Sequence, residues 1–342
     1  MENRIESALE NFYAKNNIQP EFYTDSMEDA YLKNKKYDTK ISFPGLKSKA
    51  GKWVEGFEPQ DKEYFLQLLE HFTYLTQDAL AYRMSRLCGC LFSQLTSMGI
   101  EKSEVLFVVI ESESGIKSGA DEMAVNLWSV NRVNELKKSQ IITAFSKAED
   151  EKIKEARAII FVDDIIATGF TMRKQIDSFL DRFSKVCDET KKYYFTGVLA
   201  ANSGVSYLKK KMREKRVKIE PFIQEGQLIK SAFKGDYIFG GDVVKEIEHI
   251  IGKYEDRISS YDNEEEEKDF SMGFRQCKLL LAFHYETPNN TLCSFWKATD
   301  KNYPVFERSG YSRLSVDTLK YRKSHMAANA YLYKSINRGT GL

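Results

Sequence analysis

The run Ala158-Ile-Ile-Phe-Val-Asp-Asp-Ile-Ile-Ala-Thr-Gly-Phe-Thr-Met172 constrains the fold more than any other stretch of this chain. Ala158 to Val162 is continuously apolar without alternation, the pattern of a strand buried on both faces of a parallel sheet. Two carboxylates, Asp163 and Asp164, follow at the strand's carboxyl end, then a short loop with Thr168, Gly169 and Thr171. Met172, Ile176, Phe179, Leu180 and Phe183 continue at helical spacing. This order suits a phosphate turn: loop N–H groups, the positive end of the helix and two hydroxyls can converge on one dianion. Gly169 would let the backbone approach it closely. The two acids would repel a phosphate, so they belong about a ribose length away, on sugar hydroxyls or a hydrated Mg²⁺.

The other apolar runs set this strand in a sheet. Glu104 to Ile110 reads as the first strand, Ile141 to Phe145 as the second, Ala158 to Val162 as the third, Tyr193 to Ala200 as the fourth and Ile219 to Ile223 as a fifth. Helical patterns lie between most of them, which predicts an α/β fold: a doubly wound, mainly parallel sheet with ligands at the strands' carboxyl ends. The first strand also runs into a small-residue loop, Glu111 to Ala120, which carries Ser114, Gly115 and Lys117 and leads into a helix around Met123 to Asn131.

Flanking this core, residues 4 to 16 carry a helical pattern stopped by Asn16-Asn17 and Pro20. A short helix is expected near Met27 to Leu32, and one long or two consecutive amphipathic helices over residues 60 to 98. Val243 to Ile258 predicts a strong amphipathic helix, and an apolar helix is expected to end at Leu279 to Phe283. The resulting division is an amino-terminal helical extension over residues 1–100, the core over 101–260 and a carboxyl-terminal appendage over 261–342.

Composition narrows the class. Hydrophobic content of 42% and only six prolines describe a globular protein. A formal net charge of +1 argues against a surface built wholly for nucleic acid. No amino-terminal signal pattern and no apolar run near the ~18 residues of a membrane span are present, so the expected setting is the cytoplasm, without membrane contact. The five cysteines, Cys88, Cys90, Cys187, Cys277 and Cys293, have no repeated spacing and suggest free thiols, and the four histidines form no zinc pattern. Charge is locally uneven. Residues 255 to 269 carry net −6, the pattern of a solvated linker, and residues 308 to 342 carry net +6 with four tyrosines. Such a tail could grip nucleic acid or form a solvated helix. Lys209 to Arg216 reads as an exposed basic helix face.

The string from Ala158 to Thr171 resembles the phosphoribosyl-pyrophosphate motif of the type I phosphoribosyltransferases: an apolar strand, two acids, two apolar residues and a small-Thr-Gly-x-Thr loop. Two departures stand out. Ala167 replaces the usual Thr or Ser, removing one hydroxyl, and Phe170 replaces a small residue. A second string, His284-Tyr-Glu-Thr-Pro-Asn-Asn-Thr-Leu-Cys-Ser-Phe-Trp296, is similar to one near the end of PRTase-CE proteins, a phosphoribosyltransferase-like family of bacterial conflict systems. Together the resemblance covers roughly residues 60 to 310.

It implies an effector, or toxin, of an antiviral, retron-type system that uses or cleaves phosphoribosyl pyrophosphate or a nucleotide. Its partners would include a reverse transcriptase and a DNA–RNA hybrid, and association with a second copy of the chain is left open. Asp163 and Asp164 would hold ribose and Mg²⁺ as catalytic residues, with Lys117 facing the leaving group. Ala167, Thr168, Gly169, Phe170 and Thr171 would bind the 5′-phosphate, and Ser114 and Gly115 the pyrophosphate, although Glu111 and Glu113 fit there only with Mg²⁺ between. Asn289, Asn290 and Trp296 would cap the pocket and read a base. The alternatives are a non-catalytic ligand sensor and a structural subunit of a nucleic-acid assembly. Nucleobase salvage is disfavoured by the long flanking regions.

Overall fold

The structure, a computed structural model, describes residues 1–19, 43–110, 119–143, 150–235, 237–259, 270–299 and 301–308. Among them the chain runs α1 (Glu2–Asn16), α2 (Phe43–Glu55), α3 (Lys62–Glu70), β1 (Thr73–Leu75), α4 (Gln77–Ser97), β2 (Val105–Val109), α5 (Gly119–Val130), β3 (Ile141–Ile142) and α6 (Asp150–Glu155). It continues through β4 (Ala158–Ile166), α7 (Phe170–Arg182), β5 (Lys192–Ala201), α8 (Asn202–Met212), β6 (Ile219–Pro221), β7 (Leu228–Ile229), α9 (Val244–Ser259) and β8 (Leu281–Phe283).

The main sheet has the order β3-β2-β4-β5-β6, with β7 also pairing β5, and every pairing is parallel. Residues 158 to 162 of β4 are buried on both faces, as their unbroken apolarity requires. Ala158, Ile160 and Val162 pack with α4 and α5 on one side. Ile159 and Phe161 pack with α7 and α8 on the other. Helices on both faces make the sheet doubly wound. From β2 the chain goes to β3 on one side and then returns to β4 on the other, so the switch point, where such sheets bind ligands, lies between the carboxyl ends of β2 and β4.

Two expected helical stretches contain strands instead. Thr73–Leu75 interrupts the pattern read over 60 to 98 and pairs in parallel with Leu281–Phe283, which was expected to end a helix. Three-residue apolar runs carry too little periodicity to separate strand from helix, and here each supplies the other's backbone partners. The short helix expected near Met27 to Leu32 lies outside the described residues.

The amino-terminal helices and the segment after α9 share one core. Trp53 is fully buried, its indole N–H donates to Ser294 O at 2.9 Å, and its ring lies 4.7 Å from Phe295. Tyr254 Oη donates to Asp61 Oδ2 at 2.6 Å and accepts from the Glu58 N–H at 3.1 Å. Glu255, counted in the acidic run, belongs to α9 and is buried, accepting from the Cys293 and Ser294 N–H groups. Residues 260–269 and 309–342, which hold most of the two charged segments, lie outside the described residues. The five cysteines are free thiols, and among the described residues no helix is long and apolar enough to cross a membrane.

Candidate functional site at the end of strand β4

β4 does not stop before the acidic pair. The ten residues of β5 continue the ladder through Asp163↔Gly197, Ile165↔Leu199 and Ile166↔Ala200, so both aspartates sit within the strand. Successive strand residues face opposite sides of a sheet, which separates the two carboxylates. Asp163 lines a cavity at the strand's end. Asp164 turns to the β1–β8 side and accepts a hydrogen bond from Tyr285 Oη at 2.6 Å. The pair stays linked through the backbone, where the Asp164 N–H donates to Asp163 Oδ1 at 2.9 Å. Burial, and then the neighbouring Asp164 charge, push the Asp163 carboxyl well above the usual range. Burial also raises Asp164, opposed chiefly by the Tyr285 hydrogen bond and further by the Arg308 charge.

The loop then enters α7. Gly169 has φ of 73°, the left-handed region that glycine adopts without cost, and Thr168 Oγ1 accepts from the Phe170 N–H at 3.2 Å. The absent side chain of Gly169 is directed at α8. A Cβ there would meet Leu208 Cγ at 2.7 Å and Gly204 O at 2.8 Å, both on α8. Gly204 answers from the other helix, since a Cβ on it would run into Ala167 O and lie 3.0 Å from Ile166 O. The two glycines thus seat the loop on α8, while Gly169 also stands in the wall of the cavity described next.

A cavity of about 110 Å³ lies over this loop, lined by Asp163, Ala167, Thr168, Gly169, Thr171, Asn289 and Asn290, with Phe274 at its edge. The Pro288-Asn289-Asn290 turn thus closes the same cavity that the loop opens. Its backbone is tied down: Asn289 O accepts from the Phe274 N–H at 2.8 Å and Asn290 O from the Leu279 N–H at 3.1 Å. Two residues expected at the ligand lie elsewhere. Phe170 is not in the cavity wall; its ring packs under Arg275, whose guanidinium carbon is 4.0 Å from the centroid, because this first helical residue points away from the loop's concave side. Trp296 is 1% exposed and donates its indole N–H to Thr291 O at 2.8 Å, so it is a core residue. Ser114, Gly115 and Lys117 lie outside the described residues, in the segment that follows the carboxyl end of β2.

A family model described as PRTase-CE matches residues 50–308. The chain belongs to the PRTase-CE family. No curated protein matches it. The match to PRTase-CE begins within α2 and ends at Arg308, so it takes in the loop after β4 and the Asn-Asn turn alike. In this PRTase-CE chain several site residues carry no motif signal. Tyr285 holds Asp164; Arg308 donates to Thr287 O at 3.1 Å and adds positive charge near Asp164; Phe274 lines the cavity. Tyr285 stands inside the second string, and its place two residues before the Thr-Pro-Asn-Asn turn was the available clue. Around Phe274 the backbone is unusual, with Met272, Arg275, Gln276 and Lys278 all at positive φ between 53° and 58°. Such a run persists only where surrounding contacts impose it.

Proposed function

We propose that this phosphoribosyltransferase-like protein binds a phosphoribosyl compound, either phosphoribosyl pyrophosphate or a nucleotide, through a phosphate seated in the cavity over the Ala167–Thr171 loop. The observation that carries this reading is the cavity itself. It sits at the carboxyl end of β4, one of the two strands that flank the switch point, offers the α7 amino terminus, the Thr168 and Thr171 hydroxyls and two side-chain amides, and has one carboxylate in its wall. At about 110 Å³ it is smaller than the ~300–1,000 Å³ of a whole-ligand pocket and suits one phosphate group of a larger molecule.

Asn289 and Asn290 then meet the phosphate side of the ligand instead of a base. Asp163 faces the ribose, and Asp164 sits behind it, its charge supported by Tyr285. The donor set fits Mg²⁺. Asp163 is the carboxylate in the cavity wall, raised by burial and without an ion pair among the described residues, and Mg²⁺ is commonly held by one or two carboxylates together with substrate oxygens. Bound there, the ion would neutralise the acids and the departing group. In the reaction the bond from the anomeric carbon to its leaving group breaks, and water or an acceptor takes that carbon. The protein's part is to fix the sugar while positive charge develops on it. In the cell we infer an effector of an antiviral, retron-type system, working beside a reverse transcriptase and a DNA–RNA hybrid.

Calorimetry with phosphoribosyl pyrophosphate and nucleoside monophosphates, with and without Mg²⁺, tests the binding. The expected result is Mg²⁺-dependent heat that Asp163→Asn abolishes; silence from folded protein overturns the reading. Mass spectrometry of nucleotide pools after induced expression, set against the Asp163→Ala/Asp164→Ala double variant, tests the reaction. Binding without any change in the pools would favour a sensor, the reading supported by the missing hydroxyl at Ala167.

A further inference from the structure

A second cavity, of about 220 Å³, opens between α3, α4 and β7 and touches none of the residues of the first. Its wall carries Arg83, Lys230, His71, Thr73 and Tyr237 beside the backbone of Gly226, and no carboxylate among the described residues. Arg83 Nη1 donates to Gly226 O at 2.7 Å, which fixes the guanidinium and leaves its other donors available. Lys230 lies 5.3 Å from the Tyr237 ring centroid. Lys15 Nζ reaches the same tyrosine's Oη at 3.2 Å from the far side. His71 points Nδ1 at Gln67 O at 2.9 Å; a carbonyl can only accept, so the proton is on Nδ1 and Nε2 is the free atom.

None of Arg83, Lys230 and Lys15 forms an ion pair among the described residues, although twelve other pairs there do. Burial holds the Arg83 guanidinium below its usual range, the mark of a charge without its counterion. Cations converging on a polar hollow with no acid are stable when an anion completes them.

We propose that this cavity is an anion site that takes a phosphate group, bound by Arg83 and Lys230 and bordered by His71 and Tyr237. It is separate from the loop after β4. A small apolar cluster of Ala167, Ala201 and Leu279, with Ile165 and Ile229 against it, stands between the two cavities; Ile165 lines the first and Ile229 the second. A phosphate group can arrive free or on a larger ligand, and the lining serves both. The size of the cavity admits orthophosphate, pyrophosphate or the phosphate end of a nucleotide.

The test is hydrogen–deuterium exchange on the full chain with orthophosphate, pyrophosphate and adenosine monophosphate as separate probes, joined to equilibrium binding. At least one probe is expected to protect residues 226–231. The Arg83→Gln/Lys230→Gln variant should lose that protection and bind the probe at least ~10-fold more weakly, as expected when charge-assisted bonds are removed. Thr171→Val, which alters only the first cavity, should leave it intact. Protection by orthophosphate identifies a free anion, and protection by adenosine monophosphate alone identifies the phosphate of a larger ligand. Lys230→Gln by itself covers the case in which the double variant misfolds, because Lys230 makes no hydrogen bond among the described residues. The proposal is overturned if no probe protects 226–231 or if the variants keep full affinity.

Discussion

Tyr285 Oη donates to Asp164 Oδ2 at 2.6 Å, so a residue from the carboxyl-terminal segment reaches one acid of the pair at the end of β4. Burial alone pushes Asp164 up, and this bond is the leading influence that holds it down. Tyr285→Phe is expected to raise the Asp164 carboxyl further and to weaken Mg²⁺-dependent ligand binding about tenfold, the scale of one hydrogen bond to a charged group. In the proposed binding mode the carboxylate acts in its ionised form, so affinity is expected to be lost as pH falls through its folded value. In the variant that loss should begin at a higher pH. Calorimetry across pH checks this; an unchanged pH profile would show that the bond does not govern the acid.

Gly204→Ala should act on the loop from a distance. Its added methyl would be driven into the Ala167 carbonyl, costing about 1–3 kcal/mol of overpacking and displacing the loop that lines the cavity. Gly169→Val is expected to lower stability as well as binding, because its side chain would meet Leu208 as well as requiring positive φ. Denaturant unfolding paired with ligand titration measures both. Wild-type stability in Gly169→Val would show that the loop is free to leave α8.

The two asparagines should separate. Asn289 is half-buried at the cavity, and Asn289→Ala is expected to weaken ligand binding about tenfold with a stability change under ~0.5 kcal/mol. Asn290 is only 9% exposed, and its Nδ2 faces Phe274 O at 3.4 Å and Cys277 Sγ at 3.5 Å. Asn290→Ala should therefore cost about 1–2 kcal/mol of stability in addition to any loss of affinity. Thermal melts and titrations of both variants decide it, and equal behaviour of the two would count against this division.

Glu255 gives a pH signature of the shared core. Burial pushes its carboxyl up to about 7 from an ordinary value of 4.5, even though the Cys293 and Ser294 N–H groups donate to it. Between those values the folded chain binds the proton that the unfolded chain releases, so stability falls as pH rises through this window. Below about 4.5 the group contributes no such penalty, and above 7 the penalty is complete. Glu255→Gln should remove this component, on the order of 3 kcal/mol at most. The difference between wild-type and variant melting temperatures should thus change from pH 5 to pH 7. A constant difference would place the titration elsewhere.

The sequence by itself determined the central strand, its loop and helix α7, because a strand buried on both faces must be apolar without alternation and the turn after it must contain a glycine and hydroxyls. It also determined α1, α9 and the parallel alternation, since long amphipathic periods survive any context. Only the tertiary structure decided which acid faces the cavity, because β5 had to extend the ladder past Val162 before the strand's alternation could part Asp163 from Asp164. Only it turned Trp296 into the core, brought Asn289 and Asn290 to the cavity over the Ala167–Thr171 loop, and showed that Gly169 and Gly204 serve each other. Thr73–Leu75 and Leu281–Phe283 became strands for the same reason: each is too short to declare its period, and their pairing partners come from opposite ends of the chain. Local pattern records what a residue must be buried with, and the identity of its neighbour is fixed only when distant segments meet.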